Sequence, residues 1–272
     1  MVISLGSATQ AANTLGVTQA RSAQNIASIS SGSPFTSASV DPASQAIANA
    51  LRSDIGTDGQ ALRNTQQASA LLQTAGGGLN NLSGTLDRLS QLAVQAGNGA
   101  LGGAEQQAIR AEFGELLQQF GDTVGGTRFN GQQLLAGDGA GGAASFNFQV
   151  GGDAGEDLAV SIASNALADL GLDGLDPFSG DTLSVLQNAA ASVNSNLATV
   201  GAQQSNFDSV LANTESQILG QQGALGSFAD TDLVGALIQQ ASDNALSNAG
   251  ASLIAQTSNL TEERANALLA GI

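Results

Sequence analysis

A chain of 272 residues, 42% of them hydrophobic, can fold, but its apolar content is small: 47 alanines, nine phenylalanines, no tryptophan and no tyrosine. Side chains of this size build thin seams between closely spaced helices rather than a thick globular core. A net charge of −16 with no lysine leaves no basic surface for nucleic acid or an anionic membrane, and the absence of His and Cys removes the usual metal ligands, nucleophiles and general bases.

The N-terminal segment spaces Leu5, Ala8, Ala12, Leu15, Gln19, Ser22, Ile26 and Ile29 by threes and fours, with small or polar residues at half of the positions. It has neither the basic start nor the continuous apolar run of a Sec signal, so export without a cleaved Sec signal is the expectation. No stretch approaches the ~18 consecutive apolar residues that read as a membrane span. After a linker over 33–42, Asp41 as N-cap and Pro42 at the first helical position predict a helix over about 43–97. Its seam runs through Ala61, Ala68, Leu72, Ala75, Leu79, Leu82, Leu86, Leu89, Ala93 and Ala96. The glycines of GGGLNN (76–81) have no preceding strand and no following Lys-Ser/Thr, and read as a soft spot in the helix rather than a phosphate loop.

A short helix over 104–124 gathers Ile109, Phe113, Leu116, Leu117, Phe120 and Val124 on one face and stops at Gly125-Gly126. Arg128-Phe129-Asn130-Gly131 follows, and Asn-Gly tolerates the positive φ of a tight reversal, so a corner is predicted. SFNFQV (145–150) and DLAVSI (157–162) alternate apolar with small or polar residues and read as one β-hairpin over about 145–162. The Gly- and Asp-rich loop 169–181 matches no EF-hand spacing, so its carboxylates read as solvated loop caps, with Asp181 capping the next helix.

That helix, over 183–222, carries the steadiest heptad: Leu183, Leu186, Ala190, Val193, Leu197, Val200, Gln204, Phe207, Leu211, Thr214, Ile218. A linker over 223–232 precedes a C-terminal segment in which Leu246, Leu253, Leu260 and Ala267 recur every seven residues. Seams as weak as those of the two ends are marginal alone, so the terminal helices are expected to order by pairing with each other and with neighbouring molecules. The fold class is mainly α: a long antiparallel-type helical coiled-coil rod with one small β-hairpin and paired N- and C-terminal helices.

SSG (30–32), DPASQAIANALRSDI (41–55), LDRLSQLAVQAGNG (86–99), RFNGQQLL (128–135), FQVGGDAGEDLAVSI (148–162), LGLD (170–173), ADTDL (229–233) and LIAQ (253–256), in this order, resemble bacterial flagellins. The resemblance implies an inner domain of terminal helices, 1–32 with 233–272, and a rod domain over 43–222, in a subunit that polymerises into an extracellular swimming filament. Where longer relatives insert variable outer domains, only residues 163–182 bridge the hairpin and the second rod helix, so this is a short form. Assembly or structural roles fall by the same resemblance on Asp41, Pro42, Leu79, Leu82, Leu86, Arg88, Leu89, Arg128, Phe129, Asn130, Gly131, Leu197, Phe207, Leu211, Ile218, Leu253 and Leu260. Implied partners are further copies of the chain and an export chaperone, junction and cap proteins. The host Toll-like receptor that senses flagellin should bind weakly, because in Arg88-Leu89-Ser90-Gln91 only Arg88 keeps its charge, while Ser90, Gln91 and Gln119 stand where the usual epitope has a cation and two acids. A junction protein or another secreted coiled-coil module is the alternative. No catalytic residue, cofactor or metal is expected, since general acid–base work would fall to Asp and Glu alone.

Overall fold

The computed structural model describes residues 2–35, 41–139 and 142–269. Half of the expected linker 33–42, at 36–40, lies outside the described residues, as do the side chains of the seam residues Leu5, Ala8 and Ala267. The elements are α1 (Val2–Ser31), α2 (Pro42–Ala96), α3 (Gly103–Gly126), β1 (Arg128–Phe129), β2 (Gln132–Gln133), β3 (Ala144–Gln149), β4 (Asp157–Ile162), α4 (Thr182–Ala229) and α5 (Leu233–Leu269). They form two compact units, one of residues 1–53 with 220–272 and one of residues 54–219.

In the unit of residues 54–219, the α2 seam is buried from Ala61 through Ala96, with Leu79, Leu82, Leu86 and Leu89 fully enclosed. α4 answers it with Leu186, Val193, Val200, Phe207 and Thr214, buried at intervals of seven. Ala190, Leu197, Gln204, Leu211 and Ile218 are half-buried beside them, the pattern of a helix seam that presents the same face turn after turn. Leu183, at the head of the expected series, is instead exposed. α3 adds Ile109, Phe113, Phe120 and Val124 to the same core, while Leu71 and Leu92 give α2 further buried positions beside its main seam.

The hairpin pairs Ala144 with Ile162 through to Gln149 with Asp157, so Phe146, Phe148, Leu158, Val160 and Ile162 share its core-facing side. Phe148 meets Phe207 of α4 edge to face, with ring centroids 6.0 Å apart. Asn64 Nδ2 of α2 donates to the Gln149 carbonyl, and Gln203 Nε2 of α4 to the Ser161 carbonyl, which ties the hairpin to both long helices.

The expected linker 223–232 is mostly helix. α4 continues to Ala229, leaving only 230–232 between helices. Gly223 and Gly226 cost a helix roughly 1 kcal/mol each relative to Ala, which is too little to end it. Asp232 then starts α5, its carboxylate accepting the Gly235 N–H and its carbonyl the Ala236 N–H.

Candidate assembly surfaces

The corner at 126–135 is built by closely spaced capping bonds. Thr127 closes α3 through its N–H and hydroxyl to the Thr123 carbonyl, and Arg128 Nε donates to the Gly125 carbonyl at 2.9 Å, a cation on a helix C-terminus. Asn130 (φ 49°) and Gly131 (φ 81°) then reverse the chain, so that β1 pairs with β2 in a second, two-residue hairpin. Phe129 packs half-buried on the core, and Leu134 and Leu135 are fully buried.

The glycine triplet explains why the corner sits where it does. A Cβ on Gly78 would stand 2.6 Å from Thr127 Oγ1 and 2.8 Å from Leu135 Cδ1, whereas one on Gly77 would meet nothing within 4 Å. Gly78 is therefore the contact point that lets the corner close on α2, a role more specific than the soft spot read from sequence.

Asp41 accepts the Ser44 N–H at 3.0 Å and precedes Pro42 at the start of α2, the arrangement expected of an N-cap. Hydrogen bonds from the side chain and backbone of Ser44 hold its carboxyl below the usual carboxylate range. Arg88, on the surface between α2 and α3, pairs with Glu112 through its Nε at 3.0 Å, and Gln119 is exposed on α3. Among the described residues no group of carboxylates is placed to hold a metal ion.

The other surface lies on the terminal helices. α1 and α5 pack antiparallel: Leu15 lies by Gly250, Ser22 by Gln240, and Thr231 by Ser28. The less exposed stripe of α5 is Ala236, Gln240, Asp243, Ser247, Gly250, Ile254 and Thr257, with mostly small or polar side chains. Leu246, Leu253 and Leu260, whose sevenfold spacing reads as a seam, point outward instead, and so do Leu237 and Ile238, each more than half exposed. Val17 and Ile26 on α1 are equally exposed. The pair is thus polar within and apolar without. These exposed apolar side chains lie on both flanks of the pair, surface that another molecule can cover.

The family model for the bacterial flagellin N-terminal helical region matches residues 2–140. This chain belongs to the bacterial flagellin family. Flagellin of Salmonella muenchen is 35% identical to this family member over 164 residues, which cover 60% of the chain and 32% of the relative. The phase 1 flagellin of Salmonella naestved is 34% identical over the same length. The chain therefore spans about a third of the length of these relatives. Among solved structures, the crystal structure of Bacillus cereus flagellin superposes with a TM-score of 0.51 at 25% identity, over 56% of this chain and 88% of that one. A flagellar hook-associated protein from Vibrio parahaemolyticus shares the fold with a TM-score of 0.59 at 13% identity, over 70% of this chain and all of that one. Flagellins are a family of structural proteins.

Proposed function

We propose that this flagellin-family chain is a structural subunit of a bacterial flagellar filament, binding further copies of itself into an extracellular helical polymer that serves swimming. The observation that carries this reading is the set of large apolar side chains left exposed on the two terminal helices, Val17, Ile26, Leu237, Ile238, Leu246, Leu253 and Leu260. Among the described residues of the unit of 1–53 and 220–272 nothing buries these side chains, each more than half exposed, and burying the remainder in a neighbour supplies roughly 1 kcal/mol each. Before assembly the same side chains suit an export chaperone, and at the filament ends they suit junction and cap proteins. The chain travels unfolded through the channel its predecessors build. Asp41, Pro42 and the corner at Arg128–Gly131 serve the subunit's internal order, whereas Leu253 and Leu260 serve contact between subunits.

Purified monomer mixed with short filament seeds and imaged by negative stain tests this reading. Long filaments growing from the seeds support it. A chain that adds to seed ends without elongating them is a junction protein, and one that neither adds nor elongates is neither.

A further inference from the structure

The α1–α5 pair has a register problem. Its seam is short of large apolar side chains, and a slide of one heptad, about 10 Å at 1.5 Å per residue, exchanges small and polar residues for others of the same kind. Apolar packing alone therefore discriminates poorly between registers. Thr231 anchors one end of the pair through its N–H to the Gly32 carbonyl and its hydroxyl to the Ser28 carbonyl, and among the described residues within the seam one contact involves a charge. Asp243, 2% exposed, is a carboxylate buried in the seam; its Oδ2 accepts Asn25 Nδ2 of α1 at 3.1 Å and its Oδ1 accepts Gln239 Nε2 of its own helix at 3.1 Å.

We propose that Asp243 and Asn25 form the register lock of the terminal helix pair, the bond that selects one alignment of α1 on α5. In the observed alignment the carboxylate receives a donor from each helix. In a slid alignment Asn25 is carried away, and a buried charge loses half of its hydrogen bonds, which costs far more than an exchange of one small residue for another. The nearby Ser22–Gln240 bond, 2.8 Å, cannot substitute for it, because both of those groups are neutral and only half-buried. The lock fixes which outward residues of α1 and α5 stand side by side, and hence the pattern of apolar side chains offered to another molecule.

The chain has no cysteine, so a disulfide can report the register. A Cβ built on Gly250 lies 3.9 Å from Leu15 Cβ, inside the range of about 3.5–4.5 Å that a disulfide requires. The reporter is Leu15→Cys with Gly250→Cys, oxidised as dilute monomer, with helix content followed by circular dichroism. It is compared in three backgrounds: unchanged, Asn25→Leu with Asp243→Leu, and the exchange Asn25→Asp with Asp243→Asn, which keeps an amide–carboxylate bond at the same place. Intramolecular closure should be roughly tenfold slower in the double-leucine background, the population shift expected when a hydrogen bond to a charged group stops discriminating, and close to the unchanged rate in the exchanged one. Closure as fast with the two leucines as without them overturns the proposal. So does an exchanged pair as slow as the leucine pair. Should the leucines reduce helix content, the exchanged pair decides: recovery of closure supports the lock, and failure to recover contradicts it.

Discussion

Neighbouring glycines of α2 have opposite predicted responses. Gly78→Ala places a methyl group against Thr127 and Leu135 and should destabilise the unit of residues 54–219 by about 1–3 kcal/mol, because the corner must shift to admit it. Gly77→Ala meets nothing and should stabilise by roughly 0.5–1 kcal/mol, by removing the entropy cost of a mid-helix glycine. Urea unfolding followed by far-ultraviolet circular dichroism compares the two directly, and a shared sign would refute the contact argument. At Asp41 the expected effect depends on pH. A carboxyl held below its usual range by Ser44 stabilises the folded state above the unfolded-state pKa, and that contribution disappears as pH falls through the folded value. Asp41→Ala should therefore loosen the start of α2 near neutrality and make no difference in strong acid, which amide exchange at residues 43–46 reads. For Arg88, engagement with Glu112 leaves one cation where the usual receptor epitope has several charges. Activation of the flagellin-sensing Toll-like receptor should be at least roughly tenfold weaker than by a strongly activating flagellin, the loss expected for missing charge-assisted hydrogen bonds. A reporter-cell titration that finds equal potency sinks this expectation.

Helix by helix, legibility in the sequence depended on whether a stripe's partner is part of the same chain. The seams of α2 and α4, the apolar face of α3 and both hairpin strands were readable, because Leu79, Phe113, Val160 and Phe207 are buried by elements of one unit and their spacing records it. α5 was misread for the converse reason. Two stripes repeat every seven residues on this helix, one of leucines and one of small or polar residues, and periodicity does not say which of them meets α1. The large stripe faces outward and the small one lets the helices approach. Gly78 was missed because its neighbours Thr127 and Leu135 are distant in sequence, so that a contact glycine looks like a flexible one. The same division predicts separable variants. Phe207→Ala should cost about 3–5 kcal/mol of monomer stability, as a fully buried ring contributes. Replacing Leu246, Leu253 and Leu260 by Ser should leave monomer unfolding nearly unchanged while abolishing growth on seeds.

Charge is unevenly spread over the molecule: residues 54–219 carry 17 of the 23 acids and four of the seven arginines. Two of those arginines form ion pairs within the unit, Arg88 with Glu112 and Arg110 with Asp176, and Arg110 also lies over the Phe178 ring. Copies packed side by side repel over a Debye length of ~10 Å at 0.1 M salt, so polymer yield in seeded sedimentation should rise with ionic strength. A flat or falling yield would contradict the charge argument. The central claim is that copies meet through the terminal helices, and amide hydrogen exchange measured on verified monomer and on seeded polymer tests it most directly. The account predicts that residues 9–31 and 233–260 gain strong protection in the polymer over the monomer, with little change over 61–96 and 186–214. No gain in protection of the terminal helices on assembly, or a gain confined to 61–96 and 186–214, would show that the copies meet elsewhere.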